Sequence, residues 1–335
     1  MRAIQIPHPG GPFELVERET PLPTPGEVRI AVDACGVCHS DETSLHGGMA
    51  GARYPIVPGH EVAGRVEALG EGVVGWSLGQ RVGVGWFGGE CGHCQRCRRG
   101  DFMTCINREI PGVTRDGGYA EAMVVSARAL ASIPDTLSAV EAAPMLCAGV
   151  TTYNALVRGG ARGGDLVAIQ GIGGLGHLAV QFAAKLGYRT VAIARGREKE
   201  ALARQLGAID YIDGASQDVA AELSSLGGAR LIVSTVVDAQ AMSAAVGGLT
   251  VDGRMMVVGV PGAPLEIPAW RILSGRSIQG SAGGTAVESE DAMAFAACAD
   301  VRPMIETLPL ERAQEAYEKM MRGDARFRMV LTTGR

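Results

Sequence analysis

The sequence predicts an α/β chain with a β-rich part and a doubly wound parallel sheet, on three observations. Residues 1–150 read as short β-patterned segments punctuated by glycine and proline. Near residue 142 a regular strand–helix alternation begins. A glycine fingerprint lies between the first strand and the first helix of that alternation. At 335 residues the chain has room for about two domains.

In the first part, Pro7, Pro12, Pro21, Pro23 and Pro25 prevent long helices near the start. Glu27–Ala34 alternates like a half-buried strand, and Glu61–Ala68 and Gln80–Val84 are similar. The stretch Glu141–Val157 carries a helical pattern. Strands are then expected at Leu166–Gln170, Thr190–Ala194, Ile209–Ile212, Leu231–Thr235 and Met255–Val258. Helices are expected between them at Leu175–Leu186, Glu198–Leu206, Ser216–Leu223 and Ala239–Gly248. Continuous Val/Ile strands separated by helices imply a parallel sheet covered on both faces. A last strand, Ser277–Gly280, closes this part, and the tail 289–335 reads as two helices and one strand, Arg328–Leu331.

Hydrophobic residues make up 47% and charged residues 20%, which excludes disorder. The net charge of −5 and the lack of any basic run argue against nucleic acid or an anionic membrane as partner. The first residues lack the pattern of a signal peptide, and the most apolar stretch, Leu166–Ala184, is broken by Gln170, His177, Gln181 and its glycines. A cytoplasmic protein is therefore expected. Its 48 glycines, roughly twice the ordinary share, suit tight turns and close backbone approach to ligands. With aromatics at 4%, the core must be aliphatic.

The strongest local motif is Cys91-x2-Cys94-x2-Cys97-x7-Cys105, four thiols spaced to wrap a closed tetrahedral zinc ion. An iron–sulfur cluster is the alternative, disfavoured by the long step to Cys105 and the absence of a following proline. A second set is dispersed: Cys38 in CGVCHSD, His60-Glu61 in PGHEVAG and Cys147 in MLCAGVTTY. Two sulfurs and one imidazole suit a zinc ion with an open fourth position. Cys35 and Cys38 also form a CxxC, but no thioredoxin-like context surrounds it. The third motif is Gly171-Ile172-Gly173-Gly174-Leu175-Gly176, directly after a strand and opening a helix. There the first glycine makes the turn, the second admits a pyrophosphate, and the third permits close helix–strand packing.

Together, CGVCHSD, GHE, the four-cysteine run, CAGVTTY and GIGGLGHLAVQ resemble, in order, the zinc-containing alcohol dehydrogenases of the medium-chain dehydrogenase/reductase superfamily. The resemblance spans about residues 2–332. It implies a GroES-like catalytic domain, 1–148 with 284–335, split by a Rossmann cofactor domain, 149–283. It implies two zinc ions per chain: a catalytic one held by Cys38, His60 and Cys147 with Glu61 nearby, and a structural one on Cys91, Cys94, Cys97 and Cys105. Asp41 matches the acid that orients His60, and Ser40 the hydroxyl that starts proton exit from the alcohol. Thr151 and Val260 match contacts to the cofactor, and His39 and Arg328 match partners of its phosphates. The implied reaction is hydride transfer between a small alcohol and a nicotinamide, or the reverse from an aldehyde or ketone, in a homodimer or homotetramer joined near Ser277–Gly280. Zinc-free quinone or enoyl reductases of this fold would lack both cysteine sets. A non-enzymatic metal-binding descendant would have lost a ligand or a fingerprint glycine, and none is missing here.

The chain departs from the family pattern in three respects. Thr43 stands where many relatives end the proton relay with histidine, with His46 nearby. Leu45 and Met49 replace the tryptophans of ethanol-specialised relatives while Trp86 keeps an aromatic pocket wall, so substrates bulkier than ethanol are expected. The second strand of the alternation ends in Ala194, where an NAD enzyme places a carboxylate for the ribose. Arg195, Arg197 and Lys199 follow, so NADP(H) is favoured over NAD(H). The alternative is that these are solvated charges and that Glu198 or the backbone receives the ribose.

Overall fold

The computed structural model describes residues 1–334. The chain forms two compact units, one of Met1–Val150 with Gly284–Cys298 and the residues from Arg302 onward, the other of Thr151–Gly283 with Ala299–Val301. The first unit opens with an antiparallel pair, β1 (Arg2–Gln5) and β2 (Glu14–Glu17). It continues through β3 (Glu27–Val37), α1 (Glu42–His46), β4 (Val62–Leu69), β5 (Arg81–Val84) and α2 (Gln95–Arg98). Strands β6 (Ala122–Ser126) and β7 (Ala131–Ser132) follow, then helix α3 (Ala139–Pro144). Helix α4 (Val150–Arg158) leads into the second unit.

There β8 (Leu166–Gln170), α5 (Gly176–Lys185), β9 (Arg189–Ala194), α6 (Glu200–Gln205) and β10 (Asp210–Asp213) alternate. The alternation goes on with α7 (Val219–Ser225), β11 (Ala229–Ser234), α8 (Ala239–Ala245), β12 (Leu249–Val257) and β13 (Ser277–Gly280). The tail supplies α9 (Ala286–Ala299), β14 (Ile305–Pro309), α10 (Ala313–Met321) and β15 (Arg328–Thr332).

Among the described residues, the second unit's sheet runs β10-β9-β8-β11-β12-β13 and is parallel throughout. Strand β8 is buried along its whole length, as a central strand covered on both faces must be. The first unit's sheet runs β14-β15-β3-β4-β5-β7, with β6 also on β3. Strand β3 buries Val28, Ile30, Val32 and Ala34 at every second position, so its alternation fills the core that β4, β6 and β15 close. No helix is long and apolar enough to cross a membrane among the described residues.

Three elements differ from expectation for local reasons. Strand β12 begins at Leu249, six residues before the expected Met255, because Asp252 takes a φ of 56° inside it and the register against β11 shifts there. In the sequence, Asp252-Gly253 reads as a turn, which hides the first half of the strand. Strand β14 was not expected. It pairs in parallel with β15, and it is an outer strand ending in Pro309, a position where a missing N–H is tolerated. The helix expected over 141–157 is broken into α3, a π-helical turn over Met145–Gly149, and α4. Pro144 has no N–H to continue the α-helical ladder, and the backbone widens directly after it.

Helix α3 is started by a capping box. The Ser138 hydroxyl accepts from the Glu141 N–H, and the Glu141 carboxylate accepts from the Ser138 N–H at 2.8 Å. Burial works against ionising Glu141, but the bonds from Ser138 and the charge of Arg302 hold its pKa below the ordinary 4.5. A depressed carboxyl contributes stability above that value and loses it as pH falls through the folded pKa. Ser138→Ala should therefore lower unfolding free energy by about 1 kcal/mol at neutral pH. In denaturant titrations the deficit should shrink as pH falls through the depressed folded pKa of Glu141.

Candidate functional site

Residues 91–105 form a knuckle around four sulfurs. Cys94 caps α2, and Gly92 and Gly100 take φ values of 71° and 80° to turn the chain back on itself. The sulfurs lie 3.5 Å (Cys94–Cys97), 3.6 Å (Cys91–Cys105) and 3.9 Å (Cys94–Cys105) apart. Zinc–sulfur bonds of ~2.3 Å in a tetrahedron put sulfurs about 3.8 Å apart, whereas a disulfide needs about 2.0 Å. The Asn107 and Cys97 N–H groups point at Cys105 Sγ and Cys94 Sγ from 3.4 and 3.5 Å. Backbone N–H groups of His93 and Cys94 draw the Cys91 thiol down to about 6, while burial pushes Cys97 up to about 12. Four sulfurs at tetrahedral spacing, three of them buried, fit a dication.

The dispersed set converges in the first unit. Cys38 follows the end of β3 and caps the short 3-10 helix His39–Asp41. His60 and Glu61 precede β4, after a turn in which Gly59 takes a φ of 99°. Cys147 projects from the π-helical turn, the kind of widened helix that recurs at functional sites. One donor atom from each of Cys38, His60, Glu61 and Cys147 lies within 4.8 Å of the others, and the two sulfurs are 3.9 Å apart.

His60 is 1% exposed, and its Nδ1 lies 2.9 Å from Asp41 Oδ1. The carboxylate makes Nδ1 the protonated nitrogen and leaves the Nε2 lone pair facing inward. That buried Nε2 has no hydrogen-bond partner among the described residues, and neither has Glu61 Oε2. Orphaned buried acceptors beside two thiols are what a cation site presents when its chemistry is read from the donors alone. The hydrogen bond between Cys147 and Cys38 holds the Cys38 thiol well below its ordinary value and the Cys147 thiol well above it. Burial pushes Glu61 to about 7 against the pull of Arg328.

Arg328, expected at a cofactor phosphate, is 4% exposed, forms an ion pair with Glu61 and donates to the Val37 carbonyl at 3.3 Å. Gly36 makes room for this pair, since a Cβ there would stand 1.9 Å from Glu61 Oε2. Trp86 meets the His60 ring edge-on, with centroids 4.8 Å apart. Leu45, expected at the pocket wall, is half-buried with one side against the aliphatic core of the first unit, and Met49 is half-buried. Ser40 lies in the 3-10 helix next to Cys38, and Thr43 and His46 lie in α1, with His46 exposed. His39 is exposed beside Glu42, at 3.3 Å. Thr151 is buried in α4, and Val260 is exposed after β12.

In the second unit a cavity of about 910 Å³ opens above the ends of the parallel strands. Gly171, Gly173, Gly174, Leu175, Ala194, Arg195 and Lys199 line it. Gly176 opens α5 and packs so closely that a Cβ would lie 1.7 Å from the Gly171 carbonyl oxygen. Lys199 Nζ donates to the Ile172 carbonyl at 2.8 Å and braces the turn. Arg197, expected at the cofactor, points away into an ion pair with Glu200 and does not line the cavity. Arg271, which the motifs did not single out, does line it. Its Nη1 occupies the space that a side chain on Gly247 would fill, 1.7 Å from the ideal Cβ position. That contact spans 24 residues of sequence and leaves no local signal.

Comparison with known proteins agrees with this geometry. The chain matches the alcohol dehydrogenase GroES-like domain over residues 24–135 and the zinc-binding dehydrogenase family over residues 174–298. It is 45% identical over 327 residues to an alcohol dehydrogenase of Penicillium expansum, covering 96% of this chain and 95% of that protein. It is 42% identical over 322 residues to an alcohol dehydrogenase of Geobacillus stearothermophilus, covering 95% of each. A solved NAD-dependent alcohol dehydrogenase superposes with a TM-score of 0.92 at 29% identity, covering 100% of both chains. The chain therefore belongs to the zinc-containing alcohol dehydrogenases of the medium-chain dehydrogenase/reductase superfamily.

Proposed function

We propose that this alcohol dehydrogenase works with a zinc ion on Cys38, His60 and Cys147 and prefers NADP(H) to NAD(H). The observation that carries the first part is the buried, unpartnered Nε2 of His60 beside two sulfurs 3.9 Å apart. When bound, zinc supplies Lewis acidity toward an alcohol or carbonyl oxygen, and the nicotinamide supplies the hydride acceptor or donor. Asp41 fixes the His60 ring through Nδ1. Ser40 Oγ would receive the substrate hydroxyl proton in oxidation while passing its own hydroxyl proton on to solvent, with the reverse in carbonyl reduction, and Trp86 walls the substrate off beside His60. Glu61, braced by Arg328, is the reserve carboxylate of the site. The catalytic part is 1–148 with 284–335, and the cofactor part is 149–283.

The cofactor preference rests on the cavity at the end of β9. Ala194 leaves no carboxylate there to repel a 2′-phosphate, and Arg195 and Arg271 both line the space. The neighbouring acid, Asp213, spends Oδ1 on the Gly196 and Ala215 N–H groups and Oδ2 on Ser216. Asp218 and Asp238, which line the cavity, cap α7 and α8. Glu198 folds over Gly196 and does not line it. The chain acts as a homodimer or homotetramer. Strand β13, at the open edge of the parallel sheet and flanked by exposed Trp270 and Leu273, is the seam.

A panel of alcohols, aldehydes and ketones with each cofactor, followed by absorbance of the reduced nicotinamide, tests the activity itself. Metal analysis should find two zinc ions per chain. Cys147→Ser should abolish turnover yet keep cofactor binding, whereas Cys94→Ser should damage folding, because structural zinc binding is folding free energy. One zinc in a fully active preparation, or iron, would refute the assignment.

One charge-assisted contact to the 2′-phosphate is worth ~1.5–3 kcal/mol, so kcat/KM should favour NADP(H) roughly 10- to 150-fold. Ala194→Asp with Arg195→Gln should erase or reverse that ratio, and a parent enzyme that prefers NAD(H) would overturn the reading. Sedimentation of the protein should give a dimer or tetramer, and a monomer at micromolar concentration would remove β13 as a seam.

A further inference from the structure

We infer that Tyr119 is a positioning residue of the metal site, its hydroxyl locking the Asp41 carboxylate that holds both His60 and Cys38. The inference rests on the reading that Cys38, His60 and Cys147 hold zinc.

Asp41 is fully buried and no arginine or lysine pairs with it among the described residues. Three groups surround its two oxygens. Oδ1 faces His60 Nδ1 at 2.9 Å. Oδ2 accepts from the Cys38 backbone N–H at 2.9 Å and from the Tyr119 O–H at 2.8 Å. One carboxylate thus orients the ring of one metal ligand and the backbone of another, and Tyr119 is the remaining donor that sets its rotation. A buried carboxylate of this kind depends on every donor it has.

The fold delivers the phenol with little freedom. Tyr119 is 0% exposed, its N–H donates to the Pro58 carbonyl at 2.9 Å, and the Gly118 N–H donates to the Gly59 carbonyl at 2.9 Å. The segment just before His60 is therefore bonded to the segment that carries the phenol. Gly59 leaves the space for the ring, since a Cβ there would stand 2.3 Å from Tyr119 Cδ1. Burial and the nearby Asp41 charge push the phenol well above its ordinary pKa, so it stays a donor.

Tyr119→Phe removes one oxygen and keeps the ring. The purified zinc protein of parent and variant is challenged with a chelator, and metal release is followed from both sites. The four-cysteine knuckle, built from a separate stretch of chain, is the internal control. Loss of partners around metal ligands typically changes metal affinity by ~10- to 100-fold. We expect zinc to leave the Cys38–His60–Cys147 site about tenfold faster in the variant, with unchanged release from the knuckle. With cobalt(II) in the site, the visible d–d bands should shift. Parent-like release together with a parent-like cobalt spectrum would overturn the inference. Should Tyr119→Phe not fold, 3-fluorotyrosine at position 119 keeps the hydroxyl and lowers its pKa. It should shift the same cobalt bands, and unmoved bands would again overturn the inference. A parent protein that binds metal only at the knuckle would refute the underlying zinc reading instead.

Discussion

Glu61 is wholly buried, and the group that makes this tolerable is Arg328, almost equally buried and 267 residues away. An isolated carboxylate in an aliphatic core would shed its charge or unfold its surroundings, so the guanidinium has to be present. This pairing explains the organisation of the first unit. The chain leaves after Val150, builds a parallel α/β unit, and must return so that β15 pairs antiparallel with β3 and sets Arg328 below Glu61. Truncating the tail would strip the site of its buried cation as well as two strands of the sheet.

The two cysteine sets solve different problems. The knuckle takes its four thiols from 15 consecutive residues and needs only local turns, for which Gly92 and Gly100 supply positive φ. Its donors saturate a tetrahedron, which suits a closed, structural ion. The second set draws one thiol from the end of β3, an imidazole from the turn before β4 and another thiol from a π-helical turn. Such a site assembles only when the sheet has formed. The backbone widening after Pro144 is the local price of presenting Cys147 to it.

In the second unit, close approach of main chain is the governing constraint. Gly176 lies against the Gly171 carbonyl, and Lys199 bonds the carbonyl of Ile172 between them, so the turn that lines the cavity is braced from outside. The acids around the cavity are almost all spent on caps and turns. That leaves the cations Arg195, Lys199 and Arg271 to set its electrostatic character.

The amino-acid sequence by itself determined the fold class, the β8–β13 alternation, the four-cysteine knuckle and the glycine turn, because each is written in local spacing or in residue types with one physical use, whereas the dispersed set of Cys38, His60 and Cys147 was legible only through resemblance. Helix and strand periodicity is a property of neighbours, and so is a C-x2-C run. Tertiary structure decided what depends on distant partners. Arg197 went to Glu200, and Arg328 to Glu61. Arg271 reached the cavity over Gly247, Tyr119 reached Asp41, and β14 became a strand only by pairing with β15. A long charged or polar side chain has several reachable partners within its own length. Which one it meets is set by the packing of elements far apart in sequence, and no local pattern encodes that choice.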